Sequence, residues 1–304
     1  MKAPPWKWFI EYTHPTQAHM HGISKFIYSG RTKYQDVEIL EVDFYGRCLI
    51  LDGKIQSALS DEYIYHEALI HPAMLLQENP GKVLVLGGGE GAVLREILKH
   101  PGVEKLVMVD IDREVVELCA RYLPEWNDGA YEDPRVQLVF GDAREYVKNS
   151  AETWDVVVMD LTEPVDDGPS YLMFTREFFQ LLKGKISPGG VLALQAGSFN
   201  PRLLECHSAV YNTMGLSFET VRSYYTFIPS FDATWGFIVA SQSKDPLSLG
   251  AEKVDALIKD RGIQNLRHYD GEAHGGMFAL PKDIRVLRDK EKRIIEDNNP
   301  LTTF

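Results

Sequence analysis

The chain has 304 residues, 44% of them hydrophobic, and a formal net charge of −12 at pH 7. This length allows two domains, or one large domain with an appendage, around a substantial core. The acidic charge argues against nucleic-acid binding, which requires a basic surface. No apolar run reaches the ~20 residues of a membrane-spanning helix, so we expect no membrane association. The charge can attract cationic ligands if acids line a cleft, although an acidic surface can also simply maintain solubility.

The first residues and the cysteines indicate the cellular compartment. Glu11 and two prolines interrupt the stretch where a signal peptide would need an unbroken apolar core. Cys48, Cys119 and Cys206 are far apart and lack CxxC spacing, which disfavours a disulfide framework or a zinc site. We therefore predict a protein of the reducing cytoplasm.

Residues 1–75 predict a small antiparallel β domain preceded by an aromatic arm. Short β-branched or alternating runs at residues 25–29, 36–42 and 47–51 are separated by turns. Asp52-Gly53 is a strong hairpin signal, with residues 55–58 as the returning strand. The arm before these strands contains the aromatic residues Trp6, Trp8, Phe9 and Tyr12.

A helix carrying YIYHEALIHPAML should follow, because the preceding SDE supplies a helix cap. We expect Pro72 to kink or restart this helix. His66 and His71 lack the i, i+4 spacing of a helical metal pair, so no metal site is predicted. Tyr65 by itself would be an ordinary core aromatic residue.

Residues 82–99, KVLVLGGGEGAVLREILK, carry the most specific pattern in the chain. A buried strand at 82–86 leads into a glycine-rich turn and then a helix at 92–100. This succession is typical of the nucleotide-binding corner of a doubly wound sheet. The glycines would let a ligand approach the backbone where a Cβ would clash. Such a turn alone is weak support, since structural turns also collect glycine.

Three later strands also end in acidic or glycine-containing loops. The strand at 105–109 ends in Asp110, about twenty residues past the glycines, where a carboxylate can bind ribose hydroxyls. The strand at 136–140 ends in Gly141-Asp142-Ala143, and the strand at 155–159 ends in Asp160. Open α/β sheets bind ligands at this edge. We therefore predict a doubly wound, mostly parallel sheet for residues 76–304.

The remaining elements complete this domain. Further helices are predicted at residues 114–122, 143–147, 171–183, 201–214, 251–261 and 283–296. A strand is predicted at 191–195, and strands at 220–225 and 236–240 should form an antiparallel edge.

The acids of this edge favour a cationic nucleoside. Glu90 lies within the glycine turn and would repel a pyrophosphate, which disfavours NAD. It suits the sulfonium and amine of an adenosylmethionine-type ligand, and the decarboxylated form best, although many methyltransferases also place acids near the amino group. Asp160 and Glu163 could bind an amine and accept its proton. Alternatively, the DLTE sequence could merely cap a loop.

These motifs carry a family resemblance over nearly the whole chain, most clearly over residues 25–240. LDGKIQSALSDEYIYHE, VLVLGGGEGAVLREILKH, VMVDIDREVVE and GDAREY resemble the polyamine aminopropyltransferases, the spermidine and spermine synthase family. EPVDDGPSYLMFT, QAGS and IPSFDATWGF are more similar to thermospermine synthases than to typical spermidine synthases.

The resemblance implies a β-stranded domain on a methyltransferase-like Rossmann domain, assembled as a homodimer or homotetramer. It implies decarboxylated S-adenosylmethionine as co-substrate and no prosthetic group. The nucleoside would be held by Gln35, Asp110, Asp142, Ala143 and Pro169.

The resemblance also implies how the amines are held. Glu90 would meet the aminopropyl amine, Asp160 would accept the proton, and Tyr65 and His66 would line the amine channel. His66 stands where many spermidine synthases have Gln, and Glu163 replaces the usual second Asp. Phe231 replaces a Tyr that would contact the acceptor.

Several alternatives concern the acceptor and the reaction. Phe231, nearby Trp235 and the longer Glu163 favour spermidine, which would give thermospermine. Asp166 and Asp167 could meet a further ammonium or be solvated loop acids. Putrescine or agmatine as acceptor, and spermine as product, remain open. More distant alternatives are an S-adenosylmethionine methyltransferase and a catalytically silent binding protein.

Overall fold

The computed structural model describes residues 7–164, 168 and 170–302. The first strands form a five-stranded antiparallel sheet in sequential order. Its strands are β1 (Lys7–His14), β2 (Gln17–Arg31), β3 (Asp36–Val42), β4 (Gly46–Leu51) and β5 (Lys54–Ala58). Asp52 and Gly53 join β4 to β5 with φ angles of +47° and +75°, the left-handed conformation that a two-residue type I′ hairpin requires.

The predicted aromatic arm is a strand, so this expectation was wrong. β1 pairs with β2, which begins well before the predicted residue 25. Phe9 faces the core at 8% exposure, whereas Trp8 is 47% exposed on the other face. Large apolar side chains on both faces hid the period of two that identifies a strand. Trp6 lies outside the described residues.

Helix α1 (Glu62–Leu76) runs through Pro72 without the predicted restart. Pro72 has no N–H, so the carbonyl of Ala68 lacks its usual helical partner. The hydroxyl of Tyr224 donates to this carbonyl at 3.1 Å. A tertiary hydrogen bond thus satisfies the group that proline leaves free, and α1 stays one continuous helix.

The second sheet has seven strands in the order β11-β12-β10-β9-β6-β7-β8. Their bounds are β6 (Lys82–Gly87), β7 (Lys105–Asp110), β8 (Val136–Phe140), β9 (Trp154–Asp160), β10 (Ile186–Ser198), β11 (Thr220–Ile228) and β12 (Ala233–Ser241). The first five are parallel, and β11 and β12 form the predicted antiparallel edge. The chain winds outward in opposite directions from β6 and β9, which makes their carboxyl ends the switch point where such sheets bind ligands. The predicted fold class is confirmed.

The remaining helices are α2 (Ala92–Leu98), α3 (Arg113–Tyr122), α4 (Pro124–Asn127), α5 (Ala143–Asn149), α6 (Arg176–Lys183), α7 (Glu205–Met214), α8 (Ala251–Asp260), α9 (Gly271–Phe278) and α10 (Lys282–Lys290). The helix predicted from residue 171 begins as a 3₁₀ turn, Tyr171–Phe174, and becomes α-helical after Thr175 caps it. The tail helix ends at Lys290, short of the predicted residue 296. In the described part of the chain, no helix is long and apolar enough to cross a membrane.

Helix α9 was not predicted, because its sequence GEAHGGMF contains three glycines, which disfavour helices. Asp270 caps it by accepting a hydrogen bond from the amide of Ala273 at 2.8 Å. His274 and Met277 are buried on its inner face. Capping and burial outweigh the poor helix propensity.

The packing of α1 bears on the domain boundary. Its apolar residues belong to the same buried cluster as those of β6, β9 and β11 rather than to that of the five-stranded sheet. The boundary expected between residues 75 and 76 would separate α1 from the seven-stranded sheet that it packs against. We propose instead that the domains meet between residues 58 and 62.

Candidate active site

A cavity of about 590 Å³ lies at the carboxyl ends of the parallel strands and is closed on one side by the five-stranded sheet. Ten of the sequence-predicted residues line it: Gln35, Tyr65, Glu90, Asp110, Asp142, Ala143, Asp160, Glu163, Phe231 and Trp235. His66 does not lie on its wall. Pro169, Asp166 and Asp167 lie outside the described residues. The volume is in the range of pockets that enclose small ligands.

The glycine turn after β6 brings two strand ends together. Gly87 and Gly88 have φ angles of +82° and +75°. The amide of Gly88 donates to the carbonyl of Asp160 at 2.9 Å. A Cβ on Gly87 would lie 2.2 Å from that same carbonyl oxygen. The sequence had suggested that the glycines make room for an approaching ligand. At Gly87, glycine is also required by the neighbouring strand β9.

Glu90 presents a fixed carboxylate to the cavity and is only 8% exposed. Its Oε2 accepts a hydrogen bond from the hydroxyl of Ser57 at 2.6 Å. Ser57 in turn accepts one from the indole of Trp126 at 2.9 Å. The other carboxylate oxygen of Glu90, Oε1, lies 2.7 Å from Nε2 of His66. Sequence reasoning missed Ser57, because a serine on a β strand carries no signal of its partner.

His66 was expected to line the amine channel, but it lies behind Glu90 and does not line the cavity. Its side chain has 0% exposure. Its Nδ1 lies 2.7 Å from the carbonyl oxygen of Glu62 and 2.9 Å from the Oε2 of the same residue. Burial opposes the charge, but hydrogen bonds and charges of Glu62 and Glu90 outweigh it and raise the pKa of His66 to about 10. An oxygen atom thus lies within 2.9 Å of each ring nitrogen, an arrangement that favours the imidazolium.

Asp160 and Tyr65 form a hydrogen-bonded pair on the cavity wall. The hydroxyl of Tyr65 donates to Oδ1 of Asp160 at 2.6 Å. Burial and the nearby negative charge of Glu90 raise the pKa of Asp160 to about 6, against the opposing effects of His66 and Tyr65. Burial raises the pKa of Tyr65 well above its usual value, so the phenol keeps its proton. Such a carboxylate can accept a proton near neutral pH.

The opposite end of the cavity carries the acids expected for a nucleoside. Asp110 accepts a hydrogen bond from the amide of Asp112 at 2.8 Å, and burial raises the pKa of Asp110 to about 6. Asp112 accepts hydrogen bonds from Gln35 at 3.1 Å and from Thr32 at 2.5 Å. Asp142 caps α5 through the amides of its first turn, which places Ala143 beside it.

An aromatic wall closes the third side. Phe231 stands edge-on to Trp235 and to Tyr65, with ring centroids 5.0 Å and 6.3 Å apart. The amide of Ser230 donates to Asp61 at 2.6 Å, which anchors the 3₁₀ turn that carries Phe231. The side chain of Asp61 therefore holds this turn. It does not cap α1, which was the prediction from the sequence. Burial raises the pKa of Glu163 on the same side.

Glu11 on β1 is a cavity residue that the sequence did not reveal. It is 6% exposed, and its Oε1 accepts a hydrogen bond from the amide of Ile55 at 3.0 Å. Its Oε2 has no hydrogen-bond partner among the described residues and lies 3.8 Å from Nε2 of His21. The signal was the inward alternation of Phe9 and Glu11, which the arm assignment obscured. Within the described ranges, no cluster of His, Cys, Asp or Glu could hold a metal ion.

Comparisons with known proteins show the family of this chain. Residues 62–248 match the family model described as the spermine/spermidine synthase domain. The chain is 43% identical to the polyamine aminopropyltransferase of Sulfurisphaera tokodaii over 297 residues, which cover 97% of this chain and 98% of that one. The chain belongs to the spermine/spermidine synthase family. This enzyme is therefore an aminopropyltransferase, which sets aside the methyltransferase and the silent binding protein.

This aminopropyltransferase is similar to other proteins in sequence and in structure. The polyamine aminopropyltransferase of Aeropyrum pernix is 44% identical over 291 residues, covering 95% of this chain and 92% of its own. A crystal structure of spermidine synthase in complex with the transition-state analogue AdoDATO has a TM-score of 0.87 and 31% identity, covering 94% of this chain and 97% of that one.

Residues 7–58 match the family model described as the spermidine synthase tetramerisation domain, which supports an oligomer. The hairpin of β1 and β2 has large exposed apolar side chains: Trp8, Ile10, Tyr12, Met20 and Phe26. Clustered exposed apolar residues are typical of surfaces that pack against another chain.

Proposed function

We propose that this enzyme transfers the aminopropyl group of decarboxylated S-adenosylmethionine to spermidine, giving thermospermine and 5′-methylthioadenosine. The observation that carries the proposal is the arrangement of acids along one cavity. Asp110 ends β7, Glu90 lies in the glycine turn after β6, and Asp160 ends β9, on the side toward the strand β12 that carries Trp235. The donor carries a sulfonium and an ammonium, and both are attracted by these carboxylates.

The displacement needs a free amine. The attacking nitrogen forms a bond to the carbon next to sulfur, and the carbon–sulfur electron pair leaves with methylthioadenosine. An alkyl amine has a pKa near 10, so it must first lose a proton. Asp160 accepts that proton, and the hydroxyl of Tyr65 fixes the orientation of its carboxylate. Positioning of the two substrates supplies much of the remaining acceleration.

Spermidine is the proposed acceptor because this side of the cavity has acids beyond Asp160. Glu163 lies next to the aromatic wall, and Glu11 has a buried oxygen without a hydrogen-bond partner among the described residues. A buried carboxylate oxygen that lacks a hydrogen-bond donor favours an ammonium ligand, which can supply one. Phe231 offers no hydroxyl to a short diamine. A triamine can place separate ammonium groups near Glu163 and Glu11, whereas putrescine has fewer charges to offer.

The acceptor is tested by competition. Equimolar putrescine, agmatine and spermidine are incubated with limiting donor, and chromatography with mass spectrometry separates the products, including thermospermine from its isomer spermine. We expect thermospermine to dominate. Glu11→Gln should raise the KM for spermidine about tenfold and leave that for putrescine within about twofold, because it removes one charged contact. Glu117→Gln, an exposed change on α3, is the control. A preference for putrescine or agmatine contradicts the assignment but leaves the reaction class standing.

Asp110→Ala should weaken the binding of methylthioadenosine about tenfold or more. We propose that this carboxylate binds the ribose hydroxyls, and hydrogen bonds to a charged group contribute about 1.5–3 kcal/mol each. Calorimetric titration measures the affinity. The matched control is Asp43→Ala at an exposed position. Equal affinities for the Asp110 variant and the control would remove Asp110 from the nucleoside site.

We further propose a homodimer or homotetramer in a reducing cytoplasm. The exposed apolar face of the β1–β2 hairpin supports self-association. Cys48, Cys119 and Cys206 all carry free thiols, which fits a reducing compartment.

A further inference from the structure

His66 joins two carboxylates that have different surroundings. Glu90 faces the cavity, whereas Glu62 lies behind the site on α1. The Nε2 of His66 is 2.7 Å from Glu90, and its Nδ1 is 2.9 Å from Glu62. His66 therefore does not line the cavity itself, yet it contacts a carboxylate that does.

The charges continue in alternation away from the cavity. Glu62 also accepts a hydrogen bond from Arg95 at 2.8 Å, and Arg95 donates to Glu96 at 2.9 Å. Two carboxylates and two cations thus alternate from Glu90 to Arg95, which lowers the electrostatic cost of burying each. Asp160, on the other side, adds negative charge that also favours a cation at His66. The imidazolium is the only one of these cations that contacts Glu90.

Each oxygen of Glu90 has a different kind of partner. Ser57 donates a neutral hydrogen bond to Oε2, and His66 presents a positive charge to Oε1. Ser57 can fix the direction of the carboxylate but cannot offset its charge. Glu90 and Asp160 bring two carboxylates to the same cavity, and the charge of His66 offsets the effect that Glu90 has on the pKa of Asp160.

We propose that His66 is a positioning residue whose buried positive charge pairs with the carboxylate of Glu90 and holds it oriented toward the donor's ammonium. This inference rests on the proposed use of decarboxylated S-adenosylmethionine as donor. It assigns donor recognition partly to a residue that lies outside the cavity. Methylthioadenosine lacks the aminopropyl ammonium, so its binding does not depend on the contact between His66 and Glu90.

The kinetic test compares His66→Gln with Ser57→Ala. Gln keeps a hydrogen-bond donor but removes the charge, whereas Ser57→Ala removes a neutral hydrogen bond of the same carboxylate. For His66→Gln we expect the KM for the donor to rise about 10- to 100-fold. The acid limb of kcat/KM for the donor should also move to higher pH, because the charge of His66 lowers the pKa of Asp160 and the variant removes that charge. Ser57→Ala should raise the KM without moving the acid limb. Methylthioadenosine affinity should stay within about twofold in both variants.

Two results would overturn the proposal. One is a parallel loss of methylthioadenosine affinity in His66→Gln, which would indicate a general structural role. The other is an acid limb that stays in place. A third measurement does not depend on activity. The NMR signal of the His66 imidazole is identified as the one that is missing from the spectrum of His66→Gln. In the wild type this signal should remain that of an imidazolium up to about pH 9, whereas a titration near pH 6.5 would show that His66 is not charged above that pH. If the wild-type enzyme transfers no aminopropyl group, the proposed function fails, and the NMR result still decides whether His66 is charged.

Discussion

Asp160→Asn is expected to lower kcat by about 10²- to 10⁴-fold while the protein stays folded. The change is isosteric, so it preserves packing and can still accept the hydrogen bond from Tyr65, but it removes the group that takes the proton from the amine. Turnover is measured by methylthioadenosine release at saturating donor and acceptor. Circular dichroism and methylthioadenosine binding report whether the site remains intact.

The wild-type pH profile tests the same role. The pKa of Asp160 is raised to about 6, so the ionised base is present above that pH and is lost as the pH falls through it. Asp110 titrates in the same range, but it concerns nucleoside binding, so kcat at saturating donor isolates Asp160. Asp43→Asn, an exposed change, is the control and should match the wild type. Near-normal turnover of Asp160→Asn with a native spectrum would exclude Asp160 as the base.

Gly87→Ala is expected to lower the free energy of unfolding by at least about 2 kcal/mol and to weaken methylthioadenosine binding. A positive φ costs an alanine about 1–2 kcal/mol. The new Cβ would also lie 2.2 Å from the carbonyl oxygen of Asp160, so β9 must shift, and overpacking costs about 1–3 kcal/mol. Because the same carbonyl belongs to the proposed base, the shift should also misplace the site.

Gly275→Ala supplies the matched control for this glycine. Gly275 lies in α9, where an added Cβ has no atom within 4 Å. Alanine is the better helix former by about 0.5–1 kcal/mol, so this variant should be slightly stabilised. Urea unfolding is followed at one fixed protein concentration, since oligomers are stabilised by mass action. Equal stability of Gly87→Ala and the wild type would contradict the steric interpretation of the turn.

Local sequence determined much of the fold. The strand, glycine turn and helix from residue 82 onward are encoded by neighbouring residues, as is the Asp52-Gly53 hairpin. The acids after β7, β8 and β9 converge because the carboxyl ends of parallel strands meet at one edge of a sheet. This rule placed Glu90, Asp110, Asp142 and Asp160 at one cavity from the sequence alone.

Features that depend on pairing, capping and packing rather than on propensity or periodicity were not predicted. β1 is stabilised by pairing with β2, and α9 forms despite its glycines because it is capped and half buried. α1 continues through Pro72 because Tyr224, far along the chain, satisfies the free carbonyl of Ala68. Propensity and periodicity report local preference, and tertiary contacts override them.

The sequence thus determined which chemical groups this enzyme brings to its cavity, and the tertiary structure decided how they are held. His66 was identified as a site residue, but only the packing of α1 against the glycine turn shows that it lies behind Glu90. Glu11 lines the cavity, and Ser57 contacts Glu90, because the β domain packs against the edge of the parallel sheet. The physical reason is that a charge or hydrogen bond acts through space, and its partner here is often more than thirty residues away along the chain.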